Sequence, residues 1–165
     1  MTPSQPENYF QFERLLVELA RAGIDFAVVG GVAVSLNGFV RATDDVDIIV
    51  HESPENIRRL LDALSHWGEG WARELKVEDF VPQEGAIRVM ESFDLDIFTR
   101  MAGHSWKDFQ PRLQYFEAGG SRIPYLAAAD LIVLKTGSRR EKDQLDVAAL
   151  KRIISGENPE STKEG

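Results

Sequence analysis

The chain has 165 residues, of which 43% are hydrophobic and 28% charged, and its formal net charge is -8. That length suits one domain with a real core, and the acidic balance weighs against bulk attraction to nucleic acid. The absence of cysteine excludes disulfides, thiolate zinc sites and cysteine nucleophiles and fits a cytoplasmic setting, while no apolar run is long enough to span a bilayer.

Residues 1–8 are polar and proline-bearing, lack the apolar stretch of a signal peptide, and read as a flexible tail. Tyr9 to Ala22 reads as an amphipathic helix, with Phe12, Leu15, Leu16 and Leu19 at helical spacing and Gly23 as its stop. Ile24 to Val29 is a short apolar strand, broken by Gly30-Gly31. Val32 to Asn37 then reads as a short helix, and Val46 to Val50 as a second strand. Pro54 suits the first turn of a helix reaching about His66, with Ile57, Leu60, Leu61 and Leu64 inward. Ala86 to Met90 and Phe93 to Phe98 read as a hairpin turning at Glu91-Ser92, and a helix-prone stretch follows near Trp106. Tyr115 to Gly120 and Arg122 to Pro124 suit a small edge hairpin. Ala127 to Lys135 and Arg140 to Ile154 are helices, and 156–165 reads as a disordered tail. The pattern predicts one α/β (α+β) domain over 9–155, built on a mixed sheet flanked by helices. Trp67, Trp71 and Trp106 are expected to pack the core or a pocket wall. His51, His66 and His104 lack metal-ligand spacing.

Chemistry concentrates between Val29 and Val50. Asp45 and Asp47 stand two apart at the start of a strand, so alternation puts both carboxylates on one face. Side by side they repel, and a hard divalent cation such as Mg²⁺ relieves that cost. The same spacing also suits a solvated strand start, with Asp44 in the cluster. Gly30-Gly31 between a strand and a helix lets backbone approach a phosphate; it also suits a plain turn. On the strand Phe93 to Phe98, Asp94 and Asp96 share the face opposite Phe93, Leu95 and Ile97, and either is a candidate third carboxylate. Lys135 ends an apolar helix, and basic residues with two aspartates cluster around Gly137. Such cations would neutralise a leaving pyrophosphate, or complement the helix dipole.

The ordered set Gly30-Gly31, Gly38, Arg41, Thr43 and Asp45-Val46-Asp47 resembles the nucleotidyltransferase superfamily. The closer likeness is to its small stand-alone bacterial members: minimal nucleotidyltransferases, the AbiEii-type toxin group and related uncharacterised domains. Leu95-Asp96-Ile97-Phe98-Thr99 looks like the strand that brings the third aspartate, which favours Asp96 over Asp94. Lys135, Arg140, Lys142, Asp143 and Asp146 resemble the late segment of the same group.

The resemblance implies a metal-dependent transferase. Asp45 and Asp47 would hold Mg²⁺ on a nucleoside triphosphate (NTP). Asp96 would activate an acceptor hydroxyl or complete a second metal site, so all three are both catalytic and metal-site candidates. Gly30, Gly31 and Ser35 would hold phosphate. Arg41 would pair with phosphate or with the acidic cluster, and Thr43 belongs to the same nucleotide-binding motif. Lys135, Arg140, Lys142 and Asp143 would shape the nucleotide side. The acceptor would be an RNA end, a protein side chain or a small molecule, with no membrane partner. The alternative is a non-catalytic nucleotide-binding module, or a toxin–antitoxin partner that retains the fold and meets an antitoxin.

Overall fold

The computed structural model describes residues 8–156, with side chains from Phe10 onward. The two expected tails lie outside these residues apart from Asn8, which opens the first helix, and Gly156, which ends the described chain in a turn.

Helix α1 (Asn8–Arg21) buries Phe12, Leu15, Leu16 and Leu19 as its spacing predicts. Strand β1 (Phe26–Val29) is apolar at every position and buried at every position, the pattern of a strand covered on both faces. Helix α2 (Gly30–Leu36) begins at the glycines themselves rather than after them. Strand β2 (Asp45–Val50) follows, then α3 (Pro54–Leu64), with Ser53 capping the Asn56 amide and Pro54 in the first turn. Two short 3₁₀ turns occupy Trp71–Glu74 and Val77–Asp79. Strands β3 (Ala86–Met90) and β4 (Asp94–Phe98) form the expected hairpin. Then come the single-turn helix α4 (Trp106–Phe109), strands β5 (Gln114–Ala118) and β6 (Ser121–Tyr125), and helices α5 (Ala128–Lys135) and α6 (Glu141–Ile154).

The six strands form one mixed sheet in the order β3-β4-β2-β1-β6-β5. β1 runs antiparallel to β2 and parallel to β6; β2 runs parallel to β4. The second hairpin is therefore more than an edge ornament. β6 joins the central strand at Val28↔Tyr125, and β5 alone forms that edge. Phe12 of α1 meets Phe93 edge-on at 4.7 Å, and Trp67 packs on the same ring. Burial of side chains such as Leu16 and Phe26 contributes about 1.5–3 kcal/mol each. Helix α2 packs on β1 and β2 and meets α5, which in turn packs against α6. Trp106 is buried, as expected, and stacks on His51 at 5.3 Å. Trp71 is 53% exposed, which corrects its assignment to a core or pocket wall: it sits on a surface turn whose amide bonds Glu91. Among the described residues, no helix is long and apolar enough to cross a membrane.

Candidate active site

Parallel pairing of β2 with β4 sets the site. The register places Asp45 opposite Asp94 and Asp47 opposite Asp96. Oxygens of Asp45, Asp47 and Asp96 all lie within 4.8 Å of one another. Asp96, on the inner strand position, is buried; Asp94 is farther out and faces the guanidinium of Arg88 at 3.5 Å. Of the two carboxylates left open by alternation, Asp96 is the one that stands in the three-carboxylate group.

The glycines explain themselves by what lies against them. Gly30 has φ +66°, and a Cβ there would collide with the Asp47 carboxylate. At Gly31 a Cβ would come within 3.1 Å of both terminal nitrogens of Arg41. The Gly-Gly turn therefore makes room for the acidic side chain on one side and for Arg41 on the other. Thr43 donates its hydroxyl proton toward Asp45, 3.1 Å from both the carbonyl and Oδ1, which fixes the strand entry.

Burial, then repulsion from Asp45 and Asp96, pushes the Asp47 carboxyl up to about 7, against the opposing pull of Lys135. Three clustered carboxylates, one of them accommodated by the missing side chain of Gly30, fit a hard divalent cation with oxygen ligands.

A cavity of about 510 Å³ opens over this cluster. One wall carries Lys135, Ser138, Arg140, Lys142 and Asp143; another is apolar, formed by Phe98, Met101, Leu131 and Leu134. Gly30, Gly31, Arg41, Thr43, Arg88 and the three aspartates complete it. Ser35 does not line it. Its hydroxyl faces the Arg41 amide at 3.5 Å instead, because four residues past the turn the helix has carried it about 6 Å along its axis.

Several of the basic groups are already engaged. Arg41 makes a two-point ion pair with the fully buried Asp146, Nε to Oδ1 and a terminal nitrogen to Oδ2, both at 2.8 Å. Its ion-pair partner is thus a carboxylate of α6 rather than a strand aspartate. Lys135 bridges Asp143 at 3.1 Å and Asp146 at 3.0 Å. Asp143 also accepts from Ser138 at 2.8 Å and from Arg140 at 2.9 Å. Burial would raise its pKa, but hydrogen bonds from Arg140, Ser138 and Lys135 hold it well below the usual carboxylate range. Lys142 lines the cavity and makes no ion pair among the described residues.

Arg88 is the main residue that sequence reasoning missed. Its guanidinium spans Asp96, Nε to Oδ1 at 2.8 Å and a terminal nitrogen to Oδ2 at 2.9 Å, and lies 3.8 Å from Asp45. Donating hydrogen bonds to Asp96 raises its pKa further above the ordinary arginine value. The signal was in the hairpin, but a turn at Glu91-Ser92 pairs Arg88 with Leu95. The observed connection is three residues, Glu91 to Phe93, and brings Arg88 opposite Asp96. One residue of slip changes the face of every side chain.

No curated protein sequence matches the chain significantly. Solved structures share the fold at low identity. The lincosamide antibiotic adenylyltransferase LnuA, solved with lincomycin bound, aligns with TM-score 0.59 and 15% identity over 88% of this chain and 97% of its own. A candidate nucleotidyltransferase from Thermotoga maritima aligns with TM-score 0.55 and 16% identity, covering 92% and 95% of the two chains. An antigenic nucleotidyltransferase-like protein from Paracoccidioides brasiliensis gives TM-score 0.54 and 17% identity over 86% and 73%. Residues 10–155 match the family model described as nucleotidyltransferase of unknown function (DUF6036), and the chain belongs to that nucleotidyltransferase family.

Proposed function

We propose that the protein transfers a nucleoside monophosphate from a Mg²⁺-bound NTP to the hydroxyl of a small-molecule acceptor. The observation that carries this reading is the pairing of a three-carboxylate cluster with a basic wall across one cavity. Asp45 and Asp47 would hold the metal, with Asp96 as the third carboxylate. When bound, the metal would supply positive charge at the triphosphate and at the attacking and leaving oxygens.

The residues of this chain do the rest. Lys142 and Arg140 would meet the phosphates, and the Gly30-Gly31 backbone would border them. Thr43 holds Asp45 in place. Lys135 and Asp143 brace one another and would shape the nucleotide side rather than donate to it. The apolar wall of Phe98, Met101, Leu131 and Leu134 would receive a base or the apolar body of the acceptor. In the reaction the acceptor oxygen bonds the α-phosphorus. The bond from that phosphorus to the β-bridging oxygen breaks, pyrophosphate leaves with the electron pair, and the acceptor proton passes to Asp96. Asp96 has both oxygens engaged by Arg88, so one of those bonds must open for that step.

The net charge of -8 disfavours a long RNA acceptor. The fold-level likeness to LnuA supports a small hydroxyl compound by analogy. The experiment is to incubate the protein with labelled NTPs and Mg²⁺ against a hydroxyl-compound panel, total RNA and cell protein, beside Asp45→Asn/Asp47→Asn. Label on a small compound with wild type alone supports the proposal. Label on RNA or protein redirects the acceptor, and label from the double mutant overturns the site.

A further inference from the structure

Arg88 takes both oxygens of Asp96, one of the three carboxylates that a divalent cation would share. It also reaches Asp94 at 3.5 Å and Asp45 at 3.8 Å. A guanidinium and a metal cannot both use the same Asp96 lone pairs. The two sides of this ion pair differ in surroundings: the Asp96 side chain is 10% exposed, whereas that of Arg88 is 49% exposed. β3 is an edge strand of the sheet, and Ala86, Arg88 and Met90 are exposed along it. Arg88 therefore has solvent to move into, while Asp96 stays held at the cavity floor.

We propose that Arg88 is a resident counter-ion that occupies Asp96 in the nucleotide-free protein, competes there with divalent metal, and releases the carboxylate when the metal–triphosphate complex arrives. The proposal rests on the metal-dependent reading above. It makes Arg88 a positioning residue that acts through Asp96. Its consequence is an order of binding. Free divalent ions enter the empty protein weakly, because the cluster already carries a positive charge that must be displaced. A metal accompanied by a triphosphate adds the phosphate contacts on the basic wall, and that gain displaces the guanidinium. An ion pair that only ties β3 to β4 would have no such effect on metal binding.

Two measurements test it on the full chain. The first is titration with Mn²⁺ in the absence of nucleotide, read from the free-ion electron paramagnetic resonance signal. Arg88→Gln should bind Mn²⁺ roughly tenfold more tightly than wild type, since an adjacent opposite charge changes carboxylate affinity by about that factor or more. Arg88→Lys, which keeps the charge, should stay nearer wild type. Asp47→Asn should weaken binding in the Arg88→Gln background, which locates the ion. The second needs no variant: the Arg88 Nε–H resonance of wild type should move to the position of a solvent-exposed arginine on saturation with Mg²⁺ and a non-hydrolysable NTP analogue. Equal or weaker Mn²⁺ binding by Arg88→Gln, or an unmoved Arg88 resonance in the saturated complex, overturns the counter-ion role and leaves the metal-dependent reading standing. Failure of wild type and Arg88→Gln alike to take up Mn²⁺ even in the presence of the non-hydrolysable NTP analogue overturns both.

Discussion

Gly30 and Asp47 compete for one space: a side chain on the glycine would fall on the Asp47 carboxylate. The positive φ of Gly30 adds a second reason for glycine, because left-handed backbone costs an L-residue about 1–2 kcal/mol. Gly30→Ala is expected to lower stability by about that amount and to displace Asp47, so that transfer activity falls at least a hundredfold. Denaturant unfolding and the labelled-NTP assay measure the two effects separately; an active Gly30→Ala protein would contradict the role of Asp47.

The carboxylate cluster is costly in the absence of a cation. Asp47→Asn removes the carboxyl whose charge burial and its neighbours already disfavour at neutral pH, and keeps the shape. In metal-free buffer at neutral pH it should melt at the same temperature as wild type or higher. Added Mg²⁺ at ten times its Kd should stabilise wild type by about 1.4 kcal/mol and leave Asp47→Asn almost unmoved. Calorimetry with and without Mg²⁺ decides this.

Asp146 anchors the helical half of the site to the loop before β2. It is fully buried and takes both Arg41 and Lys135. Losing it strands two cations against a desolvated surface, and Asp146→Ala should cost about 3–5 kcal/mol. If Arg41 instead served phosphate binding alone, Arg41→Ala would alter nucleotide affinity while leaving stability intact. The arrangement predicts the reverse order of effects, with a large loss in unfolding free energy.

Asp143 links the site to acid stability. Its pKa in the folded protein lies below the ordinary 3.8, so the folded state prefers the carboxylate. The resulting stabilisation is complete above pH 3.8 and is lost as pH falls below it toward the folded value. Asp143→Asn should be less stable than wild type at pH 6, and the difference between the two should shrink as the pH is lowered below 4. A gap that stays constant down to pH 2 would exclude the contribution of Arg140, Ser138 and Lys135 to its charge.

Lys142 has an exposed ammonium at the cavity and no ion pair among the described residues. Lys142→Ala should therefore leave the fold unchanged and raise KM for the NTP about tenfold, the equivalent of about 1.4 kcal/mol. The change in kcat should be small. A Lys142→Ala enzyme with unchanged KM would assign phosphate contact to Arg140 instead.

The sequence by itself determined the local features. Alternation along β2 put Asp45 and Asp47 on one face, because side chains repeat every two residues in a strand. The apolar run before Gly30 set the buried central strand, and helical spacing set α1, α3, α5 and α6 to within a few residues. Tertiary structure alone decided which residues meet across the fold. Asp96 faces Asp47 through the β2–β4 register, which local periodicity does not encode. Arg88 reaches Asp96 because the β3–β4 connection is three residues long rather than two. Arg41 and Asp146 stand 105 positions apart, and nothing in either neighbourhood specifies the pairing. Strand and helix patterns follow from neighbouring residues. The charge pairing that defines this site follows from sheet register and helix packing, which depend on burying the whole core at once.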